Sequence, residues 1–256
     1  MSHLHETRGN VGWLTLDRPA AMNSLSRALM RWMDAQLRMW RDDPAVRVVV
    51  LTGNGRAFCA GADLKEVSAP VEAGEPDFID VATEFFATLR AFPKPVIAAV
   101  NGLAVAGGLE LVLACDLVVA AESARLGDAH ANFGVFPGAG GAAVLPRKMP
   151  ANVARYLLFT GRTFTATQME RHGLVNEVVP DSELHDHAQA LANELAGRSP
   201  LVLARMKRVA AEAVDKTVAD ALRQELLEFR NHQRSYDMQE GLRAFAEKRT
   251  PVFKGY

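Results

Sequence analysis

Cysteine is scarce in this chain: two residues, Cys59 and Cys115, in 256. Both sit in apolar segments, which excludes a disulfide-stapled scaffold and predicts two buried thiols in a reducing, cytoplasmic setting. Long uncharged runs are missing too. Glu110 and Asp116 interrupt the most apolar region, so no membrane-spanning helix is expected. Net charge is also lacking. The formal value is −1, with basic and acidic residues interspersed, which leaves no basic face for nucleic acid and no attraction to an anionic membrane. The N-terminus, MSHLHETRGN, has no apolar segment of the kind a signal peptide needs. No Cys or His cluster has metal-ligand spacing, and no low-complexity segment or clean repeat breaks the chain.

What is present is a chain able to bury a sizeable core, 49% apolar and 23% charged. Val11–Asp17 alternates as a strand does. Ser24 and Ser26 offer caps for a helix whose Leu25, Leu29, Trp32, Met33, Leu37 and Trp40 recur at helical spacing. Val46–Thr52 is a second strand, so the strand–helix–strand order favours parallel pairing. A Pro- and Gly-containing loop is expected over 70–76 and an amphipathic helix over Asp77–Phe92. Strands are expected at Pro95–Val100, Asp116–Ala121, Ala124–Gly127 and Leu174–Val179, with helices at Ala151–Thr160 and Ala166–His172. From Ser182 the chain reads as helix alone, over Ser182–Ala196, Pro200–Val214, Thr217–Arg234 and Gln239–Lys248. That shift in composition divides an α/β core, residues 1–181, from a C-terminal helical region, residues 182–256.

One stretch dominates the rest. Asn101–Asp116 reads NGLAVAGGLELVLACD and follows the β-branched run PVIAAV. A turn at Asn101-Gly102 ends the strand, and Ala106-Gly107-Gly108 leads into strong helix formers. Small residues at such a turn let a ligand approach the backbone, and the first N–H groups of a helix have no internal partner. An oxygen bearing negative charge suits that position. Taken alone, the stretch reads better as an ordinary Gly-rich βα turn, with Glu110 serving the helix dipole. A second small-residue entry, Arg56–Val67 (RAFCAGADLKEV), follows the strand at Val46–Thr52. Two such turns can aim two backbone donors at one oxygen, which is what an oxyanion hole requires.

AFCAGADLKE, KPVIAAVNGLAVAGGLELVLACDLVVA and FGVFPGAGG, in that order, resemble the enoyl-CoA hydratase/isomerase (crotonase) family, from RPAAMNSL to EGLRAFAEKRTPVF. The resemblance implies an α/β fold, a crotonase-like spiral of strand–strand–helix units with a C-terminal all-helical trimerisation region. It implies a homotrimer or homohexamer, a CoA thioester as substrate, and no separate cofactor. By the same resemblance, Ala62 and Gly107 supply the oxyanion-hole N–H groups. Ala60, Asp63, Leu64 and Lys65 border the CoA, and Phe229 and Lys248 approach its nucleotide end from a neighbouring subunit. Asp63 and Lys65 read equally as solvated charges at a helix start, and Phe229 as core. The loop at 68–76 and the helix over Phe85–Phe92 line the acyl pocket.

Hydratases of the family face two glutamates toward one water. Glu110 matches the first, and His130 stands at the position of the second. Histidine, with an unperturbed pKa of ~6.5, can give or take a proton near neutrality. Asp128 is a spare carboxylate two residues away that need not face the same cavity. Single-acid isomerases of the family keep an acid where His130 stands, and the dienoyl isomerases carry an Asp where this chain has Gly138. The first reading is therefore hydration of a 2-enoyl-CoA. The alternatives are a carbon–carbon bond hydrolase of diketones, which uses His in this region, and a non-catalytic acyl-CoA-binding protein. Acyl-chain length and pathway leave no mark in the sequence.

Overall fold

The computed structural model describes residues 4–71 and 74–256. The first three residues of the polar N-terminal stretch, and 72–73 of the expected 70–76 loop, lie outside the described residues. The chain opens with a hairpin that the apolar pattern does not predict. β1 (Leu4–Arg8) pairs antiparallel with β2 (Val11–Leu16) through the two-residue turn Gly9-Asn10, where Gly9 takes φ +61°. β1 is exposed throughout, so no alternation marks it; the Gly-Asn turn was the available signal.

α1 (Arg27–Asp42) starts where Ser26 caps it, its hydroxyl accepting from Leu29 N at 3.1 Å. Leu29, Met33, Leu37 and Trp40 are buried, as their spacing predicts. The ammonium of Lys94 then donates to the carbonyls of Asp43 and Val46, both at 2.7 Å, and so fixes the path out of this helix.

Three consecutive units follow the same route. The first runs β3 (Val48–Gly53), β4 (Ala57–Cys59), α2 (Leu64–Val67) and α3 (Phe78–Arg90). The second runs β5 (Val96–Val100), β6 (Leu103–Val105) and α4 (Gly107–Ala114). The third runs β7 (Leu117–Ala121), β8 (Arg125–Gly127), a 3-10 turn at His130–Phe133, α5 (Gly141–Lys148) and α6 (Ala151–Thr160). Each unit gives its first strand to one sheet, turns a corner, and gives its second strand to another. β9 (Thr163–Thr165), α7 (Ala166–Arg171) and β10 (Glu177–Val179) complete the two sheets. The larger has the order β1-β2-β3-β5-β7-β10 and the smaller β4-β6-β8-β9. β3, β5 and β7 are parallel neighbours, as are β4, β6 and β8. This is the expected α/β spiral. β4, β6 and β9 were not expected, since three residues are too few to show a period, and the strand expected from Leu174 begins only at Glu177.

The C-terminal region is helical: α8 (Leu184–Ala196), α9 (Pro200–Ala213), α10 (Val218–His232) and α11 (Tyr236–Glu247). α8 lies across β2, β3, β5 and β7 and buries Leu184, Ala188, Ala192 and Ala196. α9 and α10 bury no residue fully, and Met206, Leu226 and Phe229 are at least half exposed. The last helix begins three residues before the expected Gln239, because the Ser235 hydroxyl caps it by accepting from Met238 N at 3.1 Å.

The second unit lies hard against the first at Gly108. A β-carbon there would fall 1.9 Å from the carbonyl oxygen of Cys59, a backbone atom that cannot yield. Gly108→Ala should therefore lower folding stability by about 3 kcal/mol. Gly138→Ala, where nothing lies within 4 Å, should change it by less than about 0.5 kcal/mol. Urea unfolding at fixed protein concentration separates the two, and equal midpoints would contradict the packing.

Candidate active site

The first-unit turn, residues 60–63, is clamped by an extended segment ahead of α1. Ala60 N donates to Met22 O at 3.0 Å, Leu25 N to Gly61 O at 2.7 Å, and Asp63 N to Leu25 O at 2.8 Å. None of these bonds uses the N–H of Ala62. In the second unit the turn is strained. Ala106 sits at φ +51°, ψ −122°, a region that costs a residue with a side chain about 1–3 kcal/mol. Gly107 follows as the first residue of α4, where an N–H has no partner within its helix. The two amides are adjacent. A β-carbon on Gly107 would lie 3.3 Å from the Ala62 nitrogen, and one on Gly61 would lie 3.3 Å from the Gly107 nitrogen. Two donors thus stand side by side, neither with a hydrogen-bond partner among the described residues.

Glu110 lies one turn further along α4 and is 3% exposed. Its Oε1 accepts from Ala139 N at 2.7 Å and from Gly141 N at 3.0 Å. Gly141 is the first residue of α5, so the carboxylate sits at that helix's positive end. The role of Pro137–Gly141 as the cradle of Glu110 was not evident in the sequence, although its small residues leave the needed amides uncovered. Oε2 takes no protein hydrogen bond among the described residues. Arg90, at the end of α3, donates to Ala139 O and feels the charge of Glu110.

The third unit places His130 at the start of the 3-10 turn, just after Ala129 at φ +60°. Asp128, whose place the sequence left open, is turned toward His130. Its Oδ1 lies 3.0 Å from His130 Nδ1 and also accepts from His130 N at 3.3 Å. The His130 side chain is 11% exposed and Asp128 is 1% exposed. Burial alone would lower the imidazole pKa. The hydrogen bond and charge of Asp128, with a contribution from Glu110, outweigh it and hold His130 above the ordinary histidine value.

The remaining expected residues divide. Asp63 is the N-cap of α2, its carboxylate accepting from Lys65 N at 3.3 Å, and it pairs with Arg18 at 2.9 Å. Leu64 and Lys65 are exposed beside it, on the same edge as Ala62. Phe229 lies in a groove lined by α9 and α10 alone, and Lys248 ends α11 at φ 54°. Neither joins the groups gathered around Glu110. The hydrogen bond and charge of Arg18 hold the Asp63 carboxyl below the usual aspartate range. Its contribution is therefore fully present above about pH 4 and is lost as pH falls through the folded-state value. Asp63→Asn keeps the cap and loses the charge. It should cost about 1 kcal/mol at pH 7 by urea unfolding. The gap should close toward pH 3, and a pH-independent gap would refute the ion pair's role.

Relatives share this arrangement of sequence and fold. A profile of the enoyl-CoA hydratase/isomerase family matches residues 6–256. The chain is 40% identical over 242 residues to 2,3-dehydroadipyl-CoA hydratase of Escherichia coli (strain K12), covering 94% of each protein. It is 37% identical over 254 residues to carnitinyl-CoA dehydratase of Proteus mirabilis, covering 97% of each. The crystal structure of an enoyl-CoA hydratase from Bacillus anthracis matches 100% of both chains, with 36% identity and a TM-score of 0.95. The chain belongs to the enoyl-CoA hydratase/isomerase family.

Proposed function

We propose that the protein hydrates a 2-enoyl-CoA. The observation that carries this reading is a buried carboxylate, Glu110, with one oxygen held by two amides and the other free, one helical turn from two adjacent unused N–H groups. The thioester oxygen sits between the N–H groups of Ala62 and Gly107. Oε2 of Glu110 takes a proton from water as the water oxygen bonds to C3 of the enoyl group. The C2–C3 π electrons move toward the thioester, and the resulting enolate oxygen is stabilised by the two amides, each worth ~2.7–4 kcal/mol. His130, as imidazolium, then protonates C2. The proton left on Glu110 returns to the imidazole through solvent, and both groups are reset.

The substrate's CoA lies along Ala60, Asp63, Leu64 and Lys65, with Phe229 and Lys248 reaching the nucleotide end from a neighbouring subunit. A homotrimer or homohexamer is part of this reading, because it covers the apolar residues of α9 and α10. No resident metal or nicotinamide takes part, and the enzyme works in the cytoplasm. Support for assembly and for catalysis can be read separately, by sedimentation and by activity after dialysis against a chelator.

The direct test is loss of enoyl absorbance on a panel of 2-enoyl-CoA esters of graded length, with 3-enoyl-CoA esters as controls for isomerisation. Wild type should hydrate at least one 2-enoyl-CoA. Glu110→Gln should reduce kcat by about 1,000-fold or more while an acyl-CoA still binds, because the thioester is held by backbone donors. Full activity in Glu110→Gln, or no turnover of any enoyl-CoA by wild type, overturns the reading.

A further inference from the structure

The second proton-transfer position carries an imidazole rather than a carboxylate, and an imidazole has two nitrogens that must be told apart. In His130 that distinction is built in. Nδ1 lies 3.0 Å from Asp128 Oδ1, and a carboxylate can only accept, so Nδ1 carries a proton in both charge states. Nε2 takes no protein hydrogen bond among the described residues. We propose that Asp128 is a positioning residue for His130: it holds the Nδ1–H and leaves Nε2 as the atom that exchanges a proton with the substrate.

Three features support a built device rather than a passing contact. Asp128 is 1% exposed, and its second oxygen, Oδ2, is buried with no hydrogen-bond partner. A buried carboxylate left half satisfied is costly, and an imidazolium beside it is the cation that offsets the cost. Gly141 is cut to fit, since a β-carbon there would fall 2.5 Å from Asp128 Oδ2 while its N–H binds Glu110. The loop that cradles one carboxylate therefore closes over the other. The 3-10 turn itself is tied down by Asn132 Nδ2 donating to Gly161 O at 2.9 Å. The charged groups facing the imidazole are Asp128 and, from α4, Glu110. Arg90 of α3 faces Glu110 in turn. From α6, which packs against the same turn, Tyr156 is bound to Arg162 and Arg155 is exposed.

The inference rests on the hydratase reading, and its test separates the two. In the substrate-free enzyme, nitrogen chemical shifts of His130, assigned by comparison with His130→Gln, should show neutral imidazole protonated on Nδ1. The Nε2–H tautomer would overturn the proposal without any variant. Asp128→Asn keeps the shape and removes the charge, and should lower the His130 pKa by about one unit or more. Its kcat should fall about tenfold with KM little changed, and the alkaline limb of its pH–rate profile should move to lower pH by the same amount. In a His130→Gln background, Asp128→Asn should cost nothing further. An altered titration with an unmoved rate profile, or an undiminished effect in the His130→Gln background, overturns the positioning role alone. Wild type inactive on every enoyl-CoA overturns the hydratase reading, and the positioning role with it.

Discussion

β4, β6 and β8 are parallel neighbours in the small sheet, with their ends stacked about 4.8 Å apart. Each strand is followed by a turn, and the turns inherit that spacing. Ala62 follows β4, Gly107 follows β6, and the Asp128–His130 pair follows β8. Nothing brings these residues together except the repetition of one route through two sheets. The large sheet makes the repetition rigid, since β3 and β5 are buried along their full lengths. A site built this way needs no long side chain to reach across a cavity, because backbone amides already point outward at helix starts.

The same spacing explains how charges of opposite demand coexist. Oε1 of Glu110 accepts from two amides at the start of α5, and Asp128, against the effect of burial, holds the His130 imidazole above the ordinary histidine value. Glu110 adds to the pull of Asp128 on the imidazole and favours its charged form. Two carboxylates at these positions would do the reverse, each raising the other's pKa. A histidine here therefore changes which form predominates near neutrality and leaves the ability to hand over a proton intact.

Most of this was legible because small residues mark their own purpose. Gly107 and Gly108 read as leaving the backbone open to a ligand, and the structure shows backbone packed closely on backbone there, beside Ala62 N in one case and Cys59 O in the other. The helix over α1 was legible from Ser26 and the spacing of Leu29, Met33 and Leu37. β6 was not, since Leu103–Val105 lies between two small-residue turns and is too short to show a period. The place of Asp128 was left open for a local reason. Ala129 adopts a left-handed conformation, which folds the Asp128 side chain back onto the N–H two residues on, as Asp does in a turn of its own making. An alanine gives no hint that it will take that conformation.

Alanine in the left-handed half of conformational space occurs just before Gly107 and just before His130, at Ala106 and Ala129. Glycine would be relaxed at either and would also be free to leave. An alanine held there by surrounding structure is strained but has fewer alternatives, because the unfolded chain has fewer conformations to lose. Ala106 is held by its N–H donating to Gly127 O at 3.2 Å and by its own carbonyl accepting from Glu110 N at 3.0 Å. Those two bonds connect the turn after β6 to the end of β8 and to the first turn of α4. The strained residue thus joins the Gly107 amide, Glu110 and the strand that leads to His130. The strain is tolerated because releasing it would loosen all three at once.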